Sequence, residues 1–234
     1  MRFTKEEIAY GILMGDGYLS PLPNKNRNSR LEHIQCIQHK EYSEWLHTIV
    51  SKLWKTKQFK RTVGCGFNDK RFEQVGFRTT VYPYFTHLRR NVFYKSGKKK
   101  IDQRILSKLT PLSLAIWYMD DGSFRFSRSD RKNGKKGDRK ILLYTGGFTL
   151  KEQNLIQNYF ERKWDISWHI FKLRNQFALY CGVKEGLKFI QLIKPFIPPS
   201  MYYKIDLKYQ MLSKSPLSAE ILKVYPEYKL ECKI

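Results

Sequence analysis

Two apolar runs in this chain end in the same way. Ile8 to Leu19 is IAYGILMGDGYL and Pro111 to Phe124 is PLSLAIWYMDDGSF, each with helical spacing and each stopping at an aspartate followed by glycine. Aligning Asp16 with Asp121 and Gly17 with Gly122 sets an offset of 105 residues, close to half of the 234-residue chain. An offset of that size favours two similar halves that share a core.

The remaining elements keep to the same offset. In the first half, Thr4 with Glu7 three residues on forms a capping-box signature for a helix over Lys5 to Gly15. A hairpin over Tyr18 to Gln38, a helix over His39 to Trp54, a hairpin over Lys57 to Val81 and a weaker helix over Tyr82 to Tyr94 follow. Residues 96–109 form a basic linker, so the halves are expected at 1–95 and 110–234, the second with a C-terminal tail. There Thr110 and Pro111 open the second key helix, as cap and first helical residue. A hairpin over Phe124 to Thr145, a helix over Thr149 to Trp164, a hairpin over Ile166 to Gly182 and a helix over Val183 to Ile193 complete the echo. Gly11 and Gly15 lie on one face of the first helix, where they permit close approach of another backbone.

Lys and Arg total 44 against 21 acids, a formal charge of +23, and alternate with Tyr, Phe, Ser and Asn in the hairpins. That pattern points to a polyanionic partner. The four cysteines have neither CxxC spacing nor a nearby His, so free thiols are expected rather than zinc or disulfides. A carboxylate at a helix C-terminus meets the negative end of the macrodipole, and Asp120 with Asp121 doubles the load. A divalent cation offsets it most strongly. If the two helices pack side by side, Asp16 and Asp121 meet, and with the carbonyls of Gly15 and Asp120 they form an all-oxygen site suited to Mg²⁺. For so basic a chain the matching reaction is phosphodiester hydrolysis. Lys100 and Lys204 recur as Lys-Ile-Asp at nearly the same offset and are candidates to steady the phosphate, with Lys99 a rival to Lys100.

These residues resemble the LAGLIDADG homing endonucleases, in particular the single-chain, two-motif, intron-encoded type. The match lies in LAIWYMDDG at Leu114 to Gly122, AYGILMGDG at Ala9 to Gly17 and Ile197-Pro-Pro-Ser-Met-Tyr-Tyr-Lys204. The resemblance implies an α+β fold of two pseudo-symmetric αββαββα halves, with antiparallel saddle-shaped sheets and a central two-helix interface. It also implies a site-specific endonuclease that cuts both strands of a long duplex and leaves 3′ overhangs. Asp16 and Asp121 would bind Mg²⁺, Mn²⁺ would substitute, and Ca²⁺ would support binding without cleavage. Family members often carry a Gln at the strand end before the second helix. Gln38 fills that place here, whereas the corresponding Thr145-Gly-Gly-Phe has glycine.

On the hairpins, Arg27, Arg30, Lys60, Arg61, Arg71, Arg78, Arg125, Arg128, Arg139, Lys172 and Arg174 are candidate DNA contacts. Double-stranded DNA is thus the expected partner of a monomer. The alternative is an intron RNA maturase, or a DNA-binding protein that does not cut, on the same fold. An unrelated nuclease built on Glu161 and Lys163 is disfavoured, because that pair lies inside an amphipathic helix without a repeat partner. No apolar run approaches the ~18 residues of a membrane span, and no basic-then-apolar leader opens the sequence. The expectation is therefore an intracellular protein without a membrane partner, in prokaryotic cytoplasm or an organelle interior.

Overall fold

The computed structural model describes residues 3–22, 27–64, 71–127 and 138–205, with the side chains of 125–127 and 138–139 outside that description. Two halves repeat one order of elements. The first contains α1 (Lys5–Met14), β1 (Tyr18–Leu19), β2 (Leu31–Cys36), α2 (Lys40–Ser51), β3 (Thr56–Gly64), β4 (Arg71–Thr79) and α3 (Pro83–His87), which runs on into a wider turn over Leu88–Phe93. Its sheet has the order β1-β2-β4-β3, antiparallel throughout. A hairpin of β5 (Tyr94–Lys95) and β6 (Lys98–Lys99), then the short helix α4 (Gln103–Ser107), lead to the second half. There α5 (Pro111–Asp121), β7 (Gly122–Ser127), β8 (Asp138–Leu143), α6 (Leu150–Trp164), β9 (His169–Leu173), β10 (Gln176–Cys181) and α7 (Val183–Ile193) form a sheet of order β7-β8-β10-β9. The αββαββα expectation holds in both halves.

Local chemistry sets the helix starts. Thr4 and Glu7 close the expected capping box on α1, Thr149 and Glu152 form another on α6, and Thr110 caps α5 with Pro111 behind it. The region read from sequence as a linker is ordered. Ser96 and Gly97 both take positive φ, 50° and 78°, the pairing a two-residue hairpin turn requires. This hairpin is tied to the first half: Leu19 N–H donates to Tyr94 Oη at 3.2 Å, and Arg89 lies 4.5 Å over the Tyr94 ring.

The core sits along α1 and α5, where Ile8, Ile12, Leu13, Ile116 and Tyr118 are fully buried. The two helices approach closely at Gly11, where an added Cβ would lie 2.9 Å from the Ser113 Cα. Ser113 Oγ donates to the Glu7 carbonyl at 2.9 Å across the same contact. One hydroxyl thus satisfies itself on a neighbouring helix where no larger side chain fits. Gly11→Val should force the helices apart and lower the midpoint of urea unfolding, at a cost of ~1–3 kcal/mol. An unchanged midpoint would mean that the interface is looser than described.

Candidate active site

The C-terminal ends of α1 and α5 come together, and neither helix carries a basic residue in its last turn. Positive charge arrives from elsewhere. Lys99, on β6, donates through Nζ to the Gly15 carbonyl at 2.7 Å. Lys204, in the 3-10 segment Pro199–Lys204, donates to the Asp120 carbonyl at 3.1 Å and also to that of Met119. Each helix end is capped by an ammonium from a distant segment. Burial lowers the pKa of both lysines, while the surrounding aspartates act to raise it.

Asp121 accepts from Trp117 Nε1 at 3.2 Å within its own helix. Its carboxyl is pushed up to about 8, first by burial and then by the charges of Asp120 and Asp16. Asp16 keeps an exposed edge, yet the protein packed around it and the neighbouring Asp120 charge hold its carboxyl above the ordinary range. Gln35 steadies it by donating Nε2–H to Oδ2 at 2.7 Å. The expected metal residues Asp16, Asp121, Gly15 and Asp120 therefore share one place, with oxygen donors alone. Among the described residues no group of three or more His, Cys, Asp and Glu side chains forms a metal cage, so backbone carbonyls would have to complete any such site.

Three expectations for this centre change. Lys100 does not face the carboxylates: its Nζ pairs with Asp102 at 3.1 Å, because neighbouring strand residues point to opposite sides. Lys99 takes that position instead. Gln38 is exposed in the short turn after β2, and Gln35, the next-to-last residue of β2, is the glutamine that reaches Asp16. Asp120 contributes more than a carbonyl, since its side chain is wholly buried and accepts from four groups of the first half.

Strand alternation sorts the basic candidates. Arg30, Arg61 and Arg78 belong to the sheet face turned away from α2, and Arg61 and Arg78 flank the Phe59 ring at 6.0 and 5.9 Å. Lys57, opposite Arg78, and Gln74, which accepts from Arg61 Nε at 3.0 Å, join that face. Lys60 and Arg71 alternate with the residues of that face and lie on the α2 side, where Lys60 pairs with Glu73 at 2.6 Å. Lys172 likewise falls on the helix side of the second sheet, with Ile170 and Leu179. Arg27 is exposed ahead of β2, and Arg174 stands in the β9–β10 turn with φ 55°. Arg125 is opposite Lys140 in the β7–β8 register and Arg139 opposite Phe126, while Arg128 lies outside the described residues. The open face of the second sheet also carries Lys140, 4.7 Å over the Tyr180 ring, and His169, 5.2 Å from the same ring. Neither was singled out in the sequence, where alternation without a register leaves the face undetermined. Lys163 donates to the carbonyls of Ser107 and Leu109, a structural role.

Residues 6–189 match the model of the LAGLIDADG DNA endonuclease family, and the chain belongs to that family. Over 203 residues it is 30% identical to the cytochrome b mRNA maturase bI2 of Debaryomyces hansenii, covering 85% of this chain and 72% of the maturase. Over 142 residues it is 30% identical to the intron-encoded endonuclease ai4 of Dictyostelium discoideum, covering 59% of this chain and 81% of that protein. RecA of Mycobacterium shimoidei is 29% identical over 202 residues, and the chain spans under half of it, 45%. Among solved structures, the homing endonuclease I-WcaI bound to its DNA recognition sequence superposes with a TM-score of 0.70 at 24% identity, over 86% of this chain and 85% of that one. The meganuclease I-AabMI bound to uncleaved DNA gives 0.53 at 11% identity, over 95% and 97%. These two likenesses concern the fold. Among the described residues no helix is long and apolar enough to cross a membrane.

The raised Asp121 carboxyl has a consequence for stability. Between about pH 4 and pH 8 the unfolded carboxyl is ionised while the folded one retains its proton, so this group's contribution falls as pH rises through that window. With chelator present, Asp121→Asn should therefore melt above the wild type at pH 8, by roughly 2–4 °C for each ~1 kcal/mol relieved. The gap should close towards pH 4, and equal melting temperatures at pH 8 would contradict the crowding of carboxylates described above.

Proposed function

We propose that this chain is a site-specific DNA endonuclease that hydrolyses one phosphodiester on each strand of a duplex with divalent metal. The observation that carries the reading is the delivery of Asp16 and Asp121, by two helices, into one crowded cluster flanked by Lys99 and Lys204. A protein that only binds DNA has no need to hold carboxylates against an anionic ligand. The raised carboxyl pKa values, set first by burial and then by neighbouring carboxylates, mark anions short of stabilisation that a cation would supply.

The donor set is hard oxygen, which suits Mg²⁺. Asp16, Asp121 and the carbonyls of Gly15 and Asp120 would hold it; a carbonyl has a second lone pair besides the one its lysine uses. A divalent ion held there would supply Lewis-acid chemistry for a water nucleophile and a leaving oxygen. Lys99 and Lys204, poorly solvated and fixed on the helix ends, are placed to offset charge that grows on the phosphate. The open sheet faces supply the long contact surface. Arg30, Lys57, Arg61 and Arg78 on one sheet and Lys140 on the other offer charge to phosphates and, for the arginines, guanine edges. Paired cuts at two adjacent half-sites are expected to leave 3′ overhangs.

The 30% identity to a cytochrome b mRNA maturase supports one second reading, an intron RNA maturase on the same fold. Incubating the protein with a randomised duplex library in Mg²⁺, Mn²⁺ and Ca²⁺, then sequencing the ends, separates the two. The endonuclease reading expects staggered cuts at one site with Mg²⁺ or Mn²⁺ and intact, retained duplex with Ca²⁺. Uncut DNA together with tight binding of structured RNA would favour the maturase. On a selected site, Asp121→Asn should abolish cutting while keeping affinity within a few-fold, and Lys204→Ala should lower the rate more than the affinity. Undiminished cutting by Asp121→Asn would overturn the assignment.

A further inference from the structure

The two half-sites are not built alike. The Asp120 carboxylate crosses from the second half into the first, and its position in the repeat is held there by Gly15, which has no side chain. An added Cβ on Gly15 would lie 2.3 Å from Asp120 Oδ2, so the glycine makes room for this crossing. Four first-half donors meet the carboxylate: the Asp16 amide at 3.0 Å, Tyr42 Oη at 2.8 Å, His33 Nε2 at 3.1 Å and Gln35 Nε2 at 3.3 Å. Gln35 uses the same amide nitrogen on the Asp16 carboxylate, so Asp120 orients both the backbone and the side-chain partner of Asp16.

Among the described residues the second half shows no equivalent. By strand register His33 corresponds to Leu143, since each pairs with the same place on its sheet, Phe77 and Leu179. Gln35 then corresponds to Thr145, whose hydroxyl turns into the core to donate to Gln153 at 2.6 Å. Tyr42, third in its helix, corresponds to Glu152, which closes the cap of α6. Asp121 relies on Trp117 of its own helix.

We propose that the Asp120 carboxylate is a positioning group for Asp16 and not for Asp121, so that the two strands are cut by unequal half-sites and only one depends on this cluster. The inference rests on the endonuclease reading for its strand assignment. Its structural part, the latch on the Asp16 amide, does not.

Two measurements test it. In the first, a duplex with a different label on each strand is cut by wild type, Tyr42→Phe and Asp120→Asn, and the strands are timed separately. Tyr42→Phe removes one hydroxyl from the cluster and keeps the ring packing. It should slow one strand about tenfold and leave the other within about threefold, with nicked duplex accumulating. Asp120→Asn, which places a donor among donors but also lifts the Asp120 charge from Asp16 and Asp121 alike, should still slow that same strand more than the other. A merely structural defect would slow both strands equally, and that result overturns the proposal. In the second, amide exchange of the metal-free, DNA-free protein is followed by NMR. Asp16 N–H should lose about tenfold or more of its protection in Asp120→Asn while Leu13 and Ile116 keep theirs. Unchanged Asp16 exchange overturns the latch. If the wild type cuts no duplex, the endonuclease reading falls with the strand assignment, and exchange alone decides the latch.

Discussion

Two helix C-termini and three carboxylates occupy one small volume, and much of the surrounding structure offsets that concentration of negative character. Macrodipoles point the wrong way for aspartate at these ends. Two ammoniums brought from β6 and from the 3-10 segment before residue 205 sit on the terminal carbonyls. One carboxylate, Asp120, is buried and accepts from four donors, and burial with the neighbouring carboxylates holds the pKa of Asp16 and Asp121 above the ordinary range. The close α1–α5 contact at Gly11 and Ser113 enforces this crowding. A fold selected for stability alone would separate such groups, and their crowding is the physical basis of the proposed site.

The sheets follow from the same arrangement. With α1 and α5 at the centre, each half lays its strands to one side and covers one sheet face with helices. The opposite face is left to carry Arg30, Lys57, Arg61 and Arg78, and in the second half Lys140 with its Tyr180 platform. Basic groups interleaved with aromatic rings on pleated strands suit a phosphate backbone and base edges alike. Positive charge is therefore placed at both levels, as individual lysines at the carboxylates and as a broad surface beyond them.

Much of this was legible in the sequence, for reasons that can be named. The paired Asp-Gly helix ends, the capping box at Thr4 and the small residue at Gly11 are local signals, and each points to one element or contact. Side-chain direction was harder to see. Lys99 and Lys100 are adjacent, so which one faces the carboxylates depends on the Ser96–Gly97 turn that sets the hairpin register. The same ambiguity separated Gln35 from Gln38 and Arg61 from Lys60. The role of Asp120 was hidden most fully, because its donors His33, Gln35 and Tyr42 lie 87, 85 and 78 residues away and no spacing rule joins them.

The central claim is that the ends of α1 and α5 form one shared cation site rather than two unrelated helix turns. Titrating Mn²⁺ into the duplex-bound protein, with free ion followed by electron paramagnetic resonance, tests it directly against Asp16→Asn and Asp121→Asn. Each single substitution should weaken or remove bound Mn²⁺ while duplex binding persists. Wild-type Mn²⁺ binding in both variants would contradict it.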